Sequence, residues 1–114
     1  MEKILNIKKR IKSFNKSIFV EGDKSLSIRW VLISSLSKKK STAYNLLKSE
    51  DVMRSIECIK TLGSKVKFEK NRCEIIGNGF HIKKRGDILI NAGNSGTLGR
   101  IILGLLINSK NKIK

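Results

Sequence analysis

The sequence predicts an α/β (α+β) fold in which one β-α-β-α-β-β unit is followed by the start of a second. Three observations carry this. Two apolar runs repeat at helical spacing, each after a strand-like stretch and a glycine turn. Between them, Lys65–Glu69 alternates polar and apolar residues, turns at Lys70-Asn71 and returns as Arg72–Ile76, the pattern of an antiparallel hairpin. No proline and no low-complexity linker interrupts the order.

The elements follow from the residues in turn. Ile4–Ile7 offers a short, weak strand. Ser17–Glu21 is a better one, β-branched and aromatic and stopped at Gly22. Ser25–Leu36 reads as a helix with two apolar stripes, Leu26/Trp30/Ile33 and Ile28/Leu32/Ser35. Such a helix should be buried on more than one side, with Trp30 in the core. Lys38-Lys39-Lys40 suits its negative C-terminal end. Ser41–Leu47 reads as a strand. Ser49 is a good N-cap for a second helix, with Glu50 and Asp51 in its first turn and Gly63 as its stop. After the hairpin, Gly77–Gly86 forms a loop holding the lone His81, to which no role is assigned. Asp87–Asn91 reads as another strand. From Ser95 a third helix spaces Leu98, Ile101, Ile102 and Leu105 at helical intervals, until Asn108–Lys112 breaks it. The sequence stops where a further strand should begin, so the second unit reads as incomplete.

At 114 residues there is room for one domain with a modest core, and with 5% aromatic residues Ile, Leu and Val must fill it. The net charge of +16 admits two readings. One is a face for nucleic acid, which would show steep salt dependence. The other is a bias toward Lys, Ile and Asn. The scatter of Lys8-Lys9-Arg10, Lys38-Lys39-Lys40 and Lys83-Lys84-Arg85, without interleaved aromatics, favours the bias, though the charge can still draw anions in. Cys58 and Cys73 lack CxxC spacing and read as free thiols in a reducing compartment. The lysine-studded first twenty residues hold no signal-peptide core, and no apolar run is long enough for a membrane span. A cytoplasmic protein is expected.

Two stretches carry the chemistry. Gly22-Asp23-Lys24-Ser25-Leu26-Ser27-Ile28-Arg29 opens the first helix, and Gly93-Asn94-Ser95-Gly96-Thr97-Leu98-Gly99-Arg100 opens the third. A helix N-terminus leaves amide donors unpaired and carries partial positive charge, so an anion placed there gains backbone and side-chain hydrogen bonds together. Lys24 adds a point charge, Ser25 a hydroxyl, and Arg29, one turn on, a planar fork suited to phosphate or carboxylate. At the second turn Gly93 and Gly96 permit close approach, Asn94 or Ser95 can cap or donate, Thr97 presents a hydroxyl, and Arg100 lies on roughly its face.

These two stretches resemble the first and second signatures of the EPSP synthase (3-phosphoshikimate 1-carboxyvinyltransferase) family. Asn45–Val52 and Arg72–Gly79 resemble it too, in the same order, and the resemblance runs from about Val20 to Leu106. It implies transfer of the enolpyruvyl group of phosphoenolpyruvate to the 5-hydroxyl of shikimate 3-phosphate, with phosphate released and no cofactor or metal needed. The implied fold is that of the enolpyruvyl transferases, inside-out α/β barrel lobes each built from three β-α-β-α-β-β units. Residues 1–114 would then be a partial N-terminal lobe of about one and a half units. Lys24 would contact both substrates, and Ser25 and Arg29 would hold shikimate 3-phosphate. Gly96 would line the phosphoenolpyruvate subsite, where glyphosate competes, with Asn94, Thr97 and Arg100 beside it. The family's acid/base residues would lie beyond Lys114, so no catalytic residue is assigned and the 114 residues alone should be inactive. The missing remainder of the enzyme is the expected partner, in a family that is usually monomeric.

The departures leave every ligand-binding side chain in place. Glu21 stands where the family usually has proline, Gly99 where methionine is frequent, and Ile101 where some relatives have proline. A UDP-N-acetylglucosamine enolpyruvyl transferase would carry asparagine after the first-turn lysine, where Ser25 follows Lys24 here.

Overall fold

Helix α1, Lys24–Ser34, begins where the Asp23 side chain folds back and its Oδ1 accepts from the amide of Leu26 at 2.7 Å. This is the contact by which a short acidic side chain satisfies an otherwise orphaned first-turn donor. Strand β1 (Lys40–Tyr44), α2 (Glu50–Thr61), β2 (Lys65–Glu69), β3 (Arg72–Ile76) and α3 (Gly96–Leu105) follow. The computed structural model describes residues 3–10, 12–79, 81–82 and 86–114. Lys83-Lys84-Arg85 and Phe80, in the loop after the hairpin, lie outside that set.

The three strands form one antiparallel sheet in the order β1-β3-β2, with Ile75 opposite both Ser41 and Val66. Alternation in β3 buries Cys73 and Ile75 on one face. Helices α1 and α2 cover that sheet, and α1 also packs against α3. Ile28, Val31 and Leu32 of α1 meet Val52, Ile56 and Ile59 of α2 in the core, and Leu98 and Ile102 bring α3 into it. The hairpin turns at Lys70-Asn71 as the alternation requires, with Lys70 in the left-handed region. Helix α2 stops short of Gly63, whose φ of +104° suits a residue without a Cβ.

Several expectations need correction. Ser17–Glu21 is not a strand: Ile18, Phe19 and Val20 are exposed, and no described strand runs beside them to supply a ladder. Ile4–Ile7 fails for the same reason. Strand propensity is a preference for a pleated, half-buried surface, and without neighbours it has nothing to act on. Strand β1 stops at Tyr44 instead of reaching Leu47, because Asn45 takes φ +56°. Its side-chain Nδ2 donates to the carbonyl of Val20 at 3.3 Å.

The others concern helix α1 and the second unit. Of the two apolar stripes, that of Ile28 and Leu32 with Ser35 is buried, as are Ser27, Val31 and Ser34; Leu26 and Ile33 are exposed, and Trp30 packs at the margin of the core. Helix α1 also ends at Ser34, so Lys38-Lys39-Lys40 falls past its last turn and Lys40 begins β1. In place of a full strand, Asp87–Asn91 makes one parallel bridge, Ile88 to Ile113. Three backbone hydrogen bonds hold that pair: Ile88 donates to Lys112, Ile90 to Lys114 and Lys114 to Ile88, at 2.8–2.9 Å. The chain after the break at Asn108–Lys112 therefore returns beside residues 88–90, with α3 as the crossover.

Candidate anion-binding site at three helix starts

Three helix starts build the site, and the packing of the first depends on a glycine. Gly22 passes so near the loop after β1 that a Cβ there would stand under 3.0 Å from the carbonyl oxygen of Asn45 and 3.2 Å from the amide nitrogen of Leu47. One turn into α1, the buried Ser27 hydroxyl accepts from the amide of Leu47 at 3.2 Å. These contacts seat the start of α1 beside the approach to α2. A cleft of about 370 Å³ lies between the Glu21-Gly22 backbone and residues 45–49, closed by Lys70 and Asn71. None of the seven predicted site residues lines it.

Lys24 is the first residue of α1, and its Nζ lies 3.1 Å from Oδ2 of Asp51 in the first turn of α2. Ser25 is half-buried and Arg29 exposed, and neither makes a side-chain hydrogen bond or ion pair with another described residue. The Asp23 carboxylate already occupies one first-turn amide. An anion at α1 would therefore use the remaining amides together with Lys24 and Arg29.

At the second turn the structure selects one of the two expected capping residues. Ser95, and not Asn94, caps α3: its buried Oγ accepts from the amide of Leu98 at 3.3 Å. Asn94 and Gly96 are thus exposed, with Thr97 half-buried beside them. Gly93 takes φ +56°, and its amide donates to Oδ1 of Asn91 at 2.8 Å. The Arg100 guanidinium folds back along its own helix, its Nη2 only 3.2 Å from where a Cβ would stand on Gly96.

One face of α2 joins the two turns. Asp51, Arg54 and Cys58 follow at intervals of three and four, hence on one side of the helix. Asp51 pairs with Lys24 of the first turn. Arg54 lies 3.6 Å from the Cβ position of Gly93 in the second, and the Cys58 thiol donates to the Asn91 carbonyl at 3.7 Å. With a rise of 1.5 Å per residue, the first two contacts stand about 5 Å apart along the axis. Sequence reasoning missed this bracket. It valued Asp51 only for the helix dipole and passed over Arg54, which also pairs with Glu50 and Glu57. Their shared spacing was the available signal. His81, given no role, is exposed.

Two cationic, hydroxyl-bearing helix starts held side by side on an α/β fold are chemically suited to a multiply charged anion. The EPSP synthase (3-phosphoshikimate 1-carboxyvinyltransferase) family pattern matches residues 8–114, and the chain belongs to that family. The 3-phosphoshikimate 1-carboxyvinyltransferase of Staphylococcus saprophyticus is 38% identical over 89 residues, which are 78% of this chain and 21% of that one. That of a Thermoanaerobacter species is 35% identical over 107 residues, 93% of this chain and 25% of the relative. Among solved structures, an EPSP synthase from Acinetobacter baumannii superposes with a TM-score of 0.70 at 25% identity, covering 85% of this chain and 23% of that one. A second structure of that species' enzyme gives 0.66 at 27% identity, over 78% and 20%. The chain thus spans between a fifth and a quarter of the length of these relatives. Among the described residues, no helix is long and apolar enough to cross a membrane.

Proposed function

We propose that this chain is part of the N-terminal lobe of a cytoplasmic 3-phosphoshikimate 1-carboxyvinyltransferase, about one and a half repeat units of it. It would carry half of a clamp for shikimate 3-phosphate and phosphoenolpyruvate. Lys24, Ser25 and Arg29 hold shikimate 3-phosphate, and Lys24 also faces phosphoenolpyruvate. Gly96, with Asn94, Thr97 and Arg100 beside it, lines the phosphoenolpyruvate subsite. The observation that carries this reading is the bracket formed by α2. Both signature turns lie against one helix face, through Asp51 to Lys24 and Arg54 to Gly93, as a joint site for two anions requires.

In the proposed reaction the 5-hydroxyl oxygen of shikimate 3-phosphate bonds to the enol carbon of phosphoenolpyruvate, and the bond from that carbon to the phosphate oxygen breaks. What these residues supply is positioning. Fixing two reactants in attack geometry is worth on the order of 7–11 kcal/mol at best, and half a clamp delivers only part of it. Proton transfers fall to groups outside these 114 residues. The partner of this half-site is the remainder of such an enzyme, in the same chain or in trans.

Two measurements test the proposal. Titration with shikimate 3-phosphate, followed by backbone amide shifts, should move residues 24–29, and Lys24→Ala or Arg29→Ala should each weaken binding by about tenfold to a hundredfold. Phosphate release from phosphoenolpyruvate with shikimate 3-phosphate should be absent for the purified 114 residues. Steady turnover by that chain alone would overturn the half-clamp reading. Salt-sensitive binding of nucleic acid, with no response to either substrate, would favour the basic-surface alternative.

A further inference from the structure

Asp51 is the residue for which the capping and packing of α2 give an incomplete account. It stands in the first turn of α2, where a carboxylate favours the helix dipole, but Glu50 already meets that need from the preceding position. The Asp51 side chain turns instead to α1 and meets the Lys24 ammonium at 3.1 Å. The two groups differ in exposure: the Asp51 side chain is 22% exposed and that of Lys24 53%. The carboxylate is thus the sheltered, fixed member, and the ammonium the one that reaches solvent.

We infer that Asp51 is a positioning residue for the anion clamp, holding Lys24 by one proton so that its other donors face the ligand. This rests on the reading of Lys24 as a substrate-binding residue. A lysine side chain has four flexible carbons and high rotamer entropy, and an ammonium has three donors. One donor engaged by Asp51 leaves two for phosphate or carboxylate oxygens. Ordering the side chain beforehand lowers the entropy lost on binding. Opposing this, a carboxylate beside the site repels an incoming anion. The two effects have opposite signs, so the sign of the substitution effect decides between them. Fixed backbone favours positioning: Gly22 against Asn45 and Ser27 against Leu47 seat the start of α1 on the approach to α2, leaving the Lys24 side chain as the part for Asp51 to order.

The test titrates the 114-residue chain with shikimate 3-phosphate and with phosphoenolpyruvate, comparing Asp51→Asn, Lys24→Ala and the double variant. Thermal melts check that each stays folded, and Asp51→Glu tests rescue. Positioning predicts binding about threefold to fivefold weaker in Asp51→Asn, partly restored in Asp51→Glu, with no further loss when Asp51→Asn is added to Lys24→Ala. Unchanged or tighter binding by Asp51→Asn would overturn it, as would an equal loss in the Lys24→Ala background. If the unsubstituted chain binds neither substrate, the clamp reading fails and the positioning role falls with it. Binding that persists unaltered in Asp51→Asn removes the positioning role alone.

Discussion

Gly22 lies against the carbonyl of Asn45 with no room for a single added carbon. Both partners are backbone, so neither side can swing aside as a long side chain would. Gly22→Ala should therefore separate the first signature from the loop before α2 and destabilise the fold by about 1–3 kcal/mol. Urea unfolding would measure this. Gly99, inside α3 with nothing within 4 Å of its Cβ position, is the contrast. There Gly99→Ala should stabilise by about 0.5–1 kcal/mol, since alanine loses less backbone entropy in a helix.

The two cysteines should behave as sealed thiols. Burial pushes both Cys58 and Cys73 up to about 11. Thiolate is the reactive form, so alkylating reagents at pH 8 should label neither until the chain unfolds. The same shift sets a stability trend at high pH. An unfolded thiol ionises near 8.5 while the folded one stays protonated, so the stabilisation is complete below that value and is lost as pH rises toward 11. Replacing both cysteines by alanine should remove the alkaline slope that they contribute, read from urea midpoints between pH 8 and 11.

Glu74 predicts the opposite dependence. Its hydrogen bond with Lys40 of β1 holds its carboxyl below the usual range against the effect of desolvation, and Arg72 adds to the lowering. A lowered folded value contributes stability that is present above the unfolded pKa, near 4.3, and lost as pH falls through the folded one. Glu74→Gln should flatten that acid limb, and urea midpoints between pH 2 and 6 would show it.

Much of this was legible in the residues because the evidence was local. The β2–β3 hairpin appears at the predicted bounds, since alternation and a two-residue turn leave one pairing register that buries Cys73 and Ile75. Helix α2, Glu50–Thr61, likewise lies between Ser49 and Gly63 as expected, although Ser49 makes no side-chain cap bond. What failed needed a partner from elsewhere. Ser17–Glu21 has strand-forming residues but no neighbour, and the apolar stripe of Leu26 and Ile33 in α1 has nothing packed on it. In the site, the residue types at each turn could be read directly. The salt bridge from Lys24 to Asp51 could not, because it joins helices twenty-seven positions apart whose approach is set by packing.

The parallel pairing of Ile88 with Ile113 has a kinetic consequence. It rests on three backbone hydrogen bonds and borders an apolar groove lined by Ile90, Ile102, Leu106 and Ile113. The hairpin closes a two-residue turn, whereas this pair must first close a loop across α3, at greater entropic cost and for fewer bonds. The amides of Ile88, Ile90 and Lys114 should then exchange with deuterium well before those of Cys73 and Ile75. The molecule would open from this seam inward, leaving the α1–α2 pair and its sheet as the last unit to give way.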